Sequence, residues 1–397
     1  MFGRAQGVLD RARMCRLTFA LPAVLVACGG ASPTPVADAA APTDRAVVEV
    51  GVDAPPPADV TSDVTAAVDV ATAENRLVWS EVSASGTAPT ARWGTMIADR
   101  GDGTALVYGG TNLDVGGRGT VSRELWRFDG RSDPPAWTPV SADGVPPNRY
   151  CGCVGWVPTT RTLLMVGGRN PNESVPETWS LDEAQGAWTQ LPTRTTPPGV
   201  IGCQMAWSSA RGALYLFGGG GQTAGFSNRT WRWDTSAQAW VMLDATGPRA
   251  RYDDALVPMH DGRHLLMVAG ARTAQAGAGF FNDVWRFDAM TETWAQVAVK
   301  GDAPPGRRTP WVSVDPDDRG FVMALGSAGV QPGETLDDLW RFDLVAGRWT
   351  QLTPDVAPPA RGWTGALPGA GAVRGYVFGG FDNGAPLGDL WRLRAER

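Results

Sequence analysis

Leu266-Met267-Val268-Ala269-Gly270, then Val284-Trp285-Arg286-Phe287-Asp288, then Trp294, is the stretch that decides the architecture. Leu266 to Val268 is a continuous apolar run, the pattern of a strand covered on both faces. In the next segment Trp285 and Phe287 share a face by period-two alternation. Asp288 follows where its carboxylate can accept backbone N–H bonds and turn the chain, and Trp294 opens a further strand. The same order recurs at Trp126-Arg127-Phe128-Asp129, Trp231-Arg232-Trp233-Asp234 and Trp340-Arg341-Phe342-Asp343, with Trp179-Ser180-Leu181-Asp182 as a weaker copy. The closing tryptophans are Trp79, Trp137, Trp188, Trp240, Trp294 and Trp349, spaced by 51 to 58 residues. A period of about 50 residues marks an array of four-stranded blades. Because each blade packs only on its neighbours, residues 77–397 can form one domain without a single large core. Indole rings at these positions fill the wedges between blades and are read as core rather than as ligand-binding aromatics.

Residues 1–27 carry Arg4, Arg11, Arg13 and Arg16, followed by an apolar run from Leu17 to Ala27. That order is the one found in secretory signals, and the run is too short for a membrane-spanning helix, which takes about 20 residues. Its end, Leu25-Val26-Ala27-Cys28-Gly29, resembles the bacterial lipobox. The resemblance implies lipidation of Cys28 as the mature N-terminus, with Met1 or Met14 as the start. It also implies that Gly29, where inner-membrane retention uses Asp, directs the chain to the outer membrane of the cell envelope. Residues 28–76 are rich in Ala, Pro, Val, Asp and Thr and hold no aromatic residue. Such a segment buries too little apolar surface to order itself and reads as a disordered tether with a reach of about 40 Å. Loss of residues 1–27 removes four Arg and one Asp, leaving a formal charge of −9. A net-acidic chain without a basic tract is a poor nucleic-acid binder, so no nucleic-acid partner is expected, and the chain is expected to be a monomer.

The repeat resembles the kelch repeat over the whole of residues 77–397. Its markers are Gly109-Gly110, Gly167-Gly168, Gly218-Gly219 and Gly379-Gly380, with the Trp-x-x-Asp elements and the closing tryptophans. Ala269-Gly270 and Leu325-Gly326 depart from the double glycine, and Trp391-Arg392-Leu393-Arg394 lacks the Asp. The resemblance implies an all-β fold, a six-bladed kelch-type β-propeller. The last copy stops after its third strand, while Leu77-Val78-Trp79-Ser80-Glu81-Val82 precedes the first complete copy. Residues 77–82 are therefore expected to complete the last blade, closing the ring and leaving no open edge.

Five of the six innermost strands begin with Pro-x-x-Arg, ending at Arg92, Arg149, Arg251, Arg307 and Arg361; Arg308 fits the fifth copy equally well, and the third copy has Val200. Trp93, Tyr150, Tyr252 and Trp363 accompany them. At the rim of a central channel, guanidinium groups beside aromatic faces could grip a carboxylate or sugar acid. In some eukaryotic kelch domains, arginines at comparable strand starts bind acidic peptides. The competing reading pairs each arginine with backbone carbonyls or with an Asp of the neighbouring blade, and five-fold regularity favours it.

Catalytic constellations are scarce. His260 and His264 fall in one turn, His260-Asp261-Gly262-Arg263-His264, without a converging ligand set, so no metal and no cofactor are expected. Asp253 and Asp254 are the only acidic pair found on an inner strand, read first as partners of neighbouring arginines. Cys151 and Cys153, two apart, are expected to share a face, and Cys203 sits one blade over; a bridge from Cys203 to Cys151 or Cys153 would tie blades two and three in an oxidising compartment. Loops Thr111 to Ser122, Gly220 to Asn228, Ala271 to Asn282 and Ser327 to Thr335 lie on one face of the disc, where a rigid scaffold can present function. Three readings follow. The favoured one is a non-enzymatic module, tethered to a membrane through its N-terminal lipid, that binds a protein or glycan partner. A sugar-acid epimerase or mutarotase, such as some periplasmic six-bladed kelch proteins are, is the alternative enzyme. A purely structural envelope lipoprotein is the third.

Overall fold

The computed structural model describes residues 76–396, except residues 115, 171, 173, 193–196, 198–200, 222–224, 273–278, 330–333 and 383. The expected signal, Cys28 and most of the tether lie outside the described residues. The described chain is all β, folded as six antiparallel four-stranded sheets and one two-stranded ribbon, Gly220–Gly221 with Gly225–Phe226. Blade 1 runs Met96–Asp99, Thr104–Tyr108, Leu125–Asp129 and Ala136–Val140. Blades 2 to 5 repeat it, opening with inner strands Cys153–Val157, Gln204–Ser208, Ala255–Pro258 and Trp311–Val314. Blade 6 takes Gly365–Leu367, Val373–Asp382 and Ala385–Glu396, and its fourth strand is Arg76–Glu81, paired antiparallel from Arg76 opposite Glu396 to Glu81 opposite Trp391. The N-terminal strand thus closes a six-bladed β-propeller, within one residue of the expected limits.

The repeat residues do local work. Asp288 accepts the amide hydrogens of Met290 and Thr291, and Asp129, Asp182, Asp234 and Asp343 do the same for the residues that follow them. Each carboxylate therefore turns the third strand into the fourth. The apolar residues gather into six clusters, each shared by two adjacent blades. Each of the six closing tryptophans enters a different cluster: Trp79 packs between blades 5 and 6, Trp137 between 6 and 1, and Trp188 between 1 and 2. A fully buried aromatic or aliphatic side chain contributes about 1.5–3 kcal/mol, so the blade interfaces rather than the blade interiors hold the ring.

The double glycine has a backbone cause. Gly109 and Gly110 take φ of 69° and 89°, two consecutive left-handed residues that glycine adopts without a Cβ penalty. Ala269 and Leu325 adopt the same conformation at 66° and 59°, so the turn survives where the sequence departs from the motif.

Candidate functional site

The five regular arginines have one shared geometry. In blade 4, Arg251 donates from Nε to the Arg249 carbonyl, from Nη1 to the Ala269 carbonyl, and from Nη1 and Nη2 to Asp283 at 2.6 and 2.9 Å. Arg92, Arg149, Arg307 and Arg361 repeat the arrangement with Glu124, Glu177, Asp338 and Asp389. Each of these carboxylates lies two residues before the third-strand tryptophan and also accepts its indole N–H. Arg149, Arg251, Arg307 and Arg361 are 0% exposed and Arg92 is 4% exposed. The expected ligand-gripping rim of Arg92, Arg149, Arg251, Arg307 and Arg361 is therefore corrected: their donors are spent inside the protein. The acid comes from the arginine's own blade, not from the neighbouring one. A fork of five fixed donors meeting a carboxylate and two carbonyls satisfies a buried guanidinium.

The signal for this pairing stood in the sequence. Acid-x-Trp occurs at Glu124, Glu177, Asp283, Asp338 and Asp389, and in the third copy both partners change together: Val200 replaces the arginine and Arg229 the acid. Val200 lies outside the described residues; Arg229 is exposed.

Two residues after each arginine position the chain makes a belt. Gly94, Cys151, Gly202, Asp253, Thr309 and Trp363 all have positive φ, from 50° to 64°. Cys151 donates its amide hydrogen to Gly94 O, Gly202 to Cys151 O, Asp253 to Gly202 O, Thr309 to Asp253 O, and Gly94 to Trp363 O. The amide of Trp363 closes the circle on Thr309 Oγ1 at 3.0 Å. Six blades are thus stitched around the channel axis. The belt also corrects two expectations. Cys151 precedes the strand that begins at Cys153, so strand alternation does not relate them. Cys153 is disulfide-bonded to Cys203, Cα atoms 5.5 Å apart, tying blades 2 and 3, while Cys151 keeps a free thiol and faces Gly94 of blade 1. Asp253 and Asp254 likewise precede the inner strand Ala255–Pro258 instead of lying on it.

Behind the belt lies a channel cavity of about 160 Å³. Its wall includes Thr95, Ile97, Cys151, Gln204, Asp253, Asp254, Leu256, Val312, Trp363 and Thr364. Asp253 and Asp254 are 5% and 3% exposed. Among the described residues neither forms an ion pair with an arginine, which corrects the expectation that arginines neutralise them. Arg251, whose charge acts on Asp254, is already engaged by Asp283. Burial pushes Asp254 up to about 7 against the pull of Arg251, and Asp253 up to about 6 against that of Arg308. Gly202 makes room for the pair: a Cβ there would stand 2.3 Å from Asp253 Oδ1.

In front of the belt the aromatic residues converge. The residue after each arginine position bridges to the residue after each glycine pair: Trp93 to Thr111, Tyr150 to Arg169, Tyr252 to Ala271, Arg308 to Ser327 and Gly362 to Phe381. Trp93 packs edge-on to Tyr150 and Phe381 at 5.2 and 5.7 Å and lies 6.0 Å from Trp363. The Arg308 guanidinium sits 4.4 Å above Trp363 and donates to the Tyr252 hydroxyl at 2.7 Å, while Phe226 stacks on Tyr252 at 5.1 Å. All six blades contribute to this mouth, with Trp93, Tyr252, Trp363 and Phe381 half-buried and Phe226 exposed. Of the expected site residues, the structure therefore brings together Trp93, Tyr150, Tyr252 and Trp363, and adds Arg308, Phe226 and Phe381. The long loops start beside the mouth; residues 115, 222–224, 273–278 and 330–333 within them lie outside the described residues. His260 and His264 are elsewhere, in the turn that leads into His264–Val268, where His264 Nδ1 meets Asp261 at 2.5 Å.

Fold and site define a six-bladed kelch-type β-propeller with a girdled channel and an aromatic mouth. The model of the KLHDC2/KLHL20/DRC7 Kelch-repeats domain matches residues 192–368. Kelch domain-containing protein 10 of Xenopus tropicalis is 27% identical over 303 residues, 71% of this chain and 70% of that protein. Kelch domain-containing protein 3 of Homo sapiens is 27% identical over 201 residues, 49% of this chain and 51% of that one. The solved structure of YjhT superposes with a TM-score of 0.59 at 15% identity, covering 76% of this chain and 95% of its own. At that identity the likeness is one of fold.

Proposed function

We propose that this chain is an extracytoplasmic binding module, held at the outer membrane through lipidated Cys28, that offers the aromatic mouth of its propeller to a protein or glycan partner. The observation that carries the reading is the convergence of Trp93, Tyr150, Tyr252, Trp363 and Phe381 around Arg308 at one end of the channel. Flat rings, half-buried at Trp93, Tyr252, Trp363 and Phe381, offer large contact area at low entropic cost, and the buried Arg308 guanidinium holds Tyr252 and Trp363 in place. The general association of kelch domains with protein interactions supports it, as do the loops flanking the mouth. The test is capture from envelope extracts and on glycan arrays, wild type against Trp93→Ala/Trp363→Ala. Loss of capture by the folded double variant is the expected result; equal capture by both removes the mouth from the reading. For the anchor, Cys28→Ala is expected to move the protein from the membrane fraction to the soluble one, and an unchanged distribution would contradict lipidation.

A second reading rests on Asp253 and Asp254. Two buried carboxyls with pKa values of about 6 and 7 stand where a general acid–base pair for a sugar-acid epimerase or mutarotase would be useful. Sugar-acid interconversion followed by NMR, lost in Asp254→Asn, would favour the enzyme over the module.

A further inference from the structure

The backbone around the mouth has little left to offer a ligand. The residue after each arginine position and the residue after the matching glycine pair exchange both of their hydrogen bonds, as Trp93 does with Thr111, Ile201 with Gly220 and Gly362 with Phe381. What a ligand meets there is side chains. The Trp93 indole N–H is spent on the Leu113 carbonyl, and the Arg308 guanidinium on the Tyr252 hydroxyl and the Gly329 carbonyl. Two half-buried side chains keep open donors among the described residues. The Trp363 indole packs on Trp93 and Arg308 by its ring, and its N–H has no acceptor. Arg169 has its guanidinium 5.7 Å from the Tyr150 ring and pairs with no acid, unlike the five regular arginines. The Tyr150 hydroxyl could also accept, but Tyr150 is only 7% exposed. The mouth is therefore aromatic, rich in donors and poor in acceptors.

We propose that the mouth takes a proline-rich segment of a partner protein, extended as a polyproline II helix. The inference rests on the binding-module reading and names the chemistry of its partner. Hydrogen-bond matching selects it first. A prolyl residue carries a carbonyl and no N–H, so such a segment brings acceptors and few donors. A neutral sugar brings a donor with every hydroxyl, and those donors would go unpaired here. Spacing selects it second. The Arg308 guanidinium lies 4.4 Å from the Trp363 ring and 5.8 Å from the Tyr252 ring. It thus holds two ring clusters, Trp93–Trp363–Phe381 and Tyr252–Phe226, within about 10 Å of each other. One turn of polyproline II, three residues, rises about 9 Å, so successive turns can seat a pyrrolidine ring on each cluster. The third ground is entropic: the helix is pre-set by proline and loses little freedom on docking into an aromatic groove. A carboxylate-bearing segment would find a single open guanidinium, that of Arg169, because Arg308 is committed.

The test is calorimetric titration of the full protein with a twelve-residue peptide of repeated Ala-Pro-Pro, capped at both ends. The comparison ligands are capped peptides of the same length repeating Ala-Gly-Ser and Asp-Gly-Ser, and chitotetraose. Wild type is expected to bind the proline peptide at least about ten-fold more tightly than any of the three. Trp93→Ala is expected to abolish that binding. Trp363→Phe keeps a ring on Arg308 and deletes only the indole N–H, and Arg169→Gln gives up no ion pair; each is expected to weaken binding about three- to ten-fold with the unfolding midpoint unchanged. Should Trp93→Ala fail to fold, these two conservative variants decide. Equal binding of the Ala-Gly-Ser peptide, no binding of the proline peptide, or wild-type affinity in both conservative variants overturns the proposal. Tighter binding of the acidic peptide or of chitotetraose, lost in Trp93→Ala/Trp363→Ala, overturns it as well but leaves the mouth a binding site. No ligand bound at all, together with equal capture from envelope extracts by wild type and that double variant, removes both readings.

Discussion

Two sets of carboxylates surround the same channel, one partly exposed and one buried, and behave in opposite ways. Glu124, Glu177, Asp283, Asp338 and Asp389 recur at one position in five blades, each holding an arginine and an indole. Asp253 and Asp254 occur once, in blade 4, and Asp254 holds nothing among the described residues. Burial raises the Asp389 carboxyl, but hydrogen bonds from Arg361 and Trp391 outweigh it and leave it below its ordinary value. Burial raises Asp254 to about 7, against the charge of Arg251 and its own backbone N–H, with no hydrogen bond from another side chain. A feature repeated five times serves the ring, which is itself repeated; a charge that appears once and costs stability points to a role outside folding.

The comparison can be broken first at its strongest point. Asp338→Ala strands the fully buried Arg307 guanidinium, and is expected to cost about 3–5 kcal/mol in urea unfolding; a loss under about 1 kcal/mol, the level of a surface pair, would mean the pairs do not hold the blades. Asp389→Asn is a gentler version, expected to cost roughly 1.5–3 kcal/mol at pH 7. Its pKa is depressed in the folded state, so its contribution exists above the unfolded value near 3.8 and is lost as pH falls through the lower folded one. The wild-type advantage should therefore vanish in strong acid, and an advantage independent of pH would contradict the ion-pair account. Trp363→Ala, at the mouth, removes its packing on Trp93 and Arg308. That change is expected to cost about 1 kcal/mol while abolishing partner capture, separating binding from stability in one variant.

The fold was legible because its signals are local and repeated: the Asp at each third-strand end turns the chain wherever it occurs, and the orphan Trp79 segment could go only to the blade that lacked a strand. The arginines were half legible. Pro-x-x-Arg announced itself at five of the six inner strands, but its acid lies about 30 residues downstream, and only the joint replacement by Val200 and Arg229 in the third copy ties the two positions together. The channel pair was legible as residues and not as a site. Its isolation depends on the left-handed belt, and only Gly94 and Gly202 of its six residues are glycines that hint at such a backbone. Cys151, Asp253, Thr309 and Trp363 carry no sequence mark of positive φ, so strand alternation misassigned Cys151 and placed Asp253 and Asp254 on a strand they precede.

The most direct test of the contrast is the unfolding free energy of wild type and Asp254→Asn measured from pH 4 to pH 8. A carboxyl raised to about 7 when folded binds a proton that the unfolded chain, with its value near 3.8, has released, so wild-type stability falls as pH climbs through that interval. The account predicts nearly equal stability of the two proteins near pH 4 and an Asn variant more stable by roughly 4 kcal/mol at pH 8. Parallel curves, or an Asn variant less stable at pH 8, would show that Asp254 is a satisfied structural carboxylate like those in the five pairs.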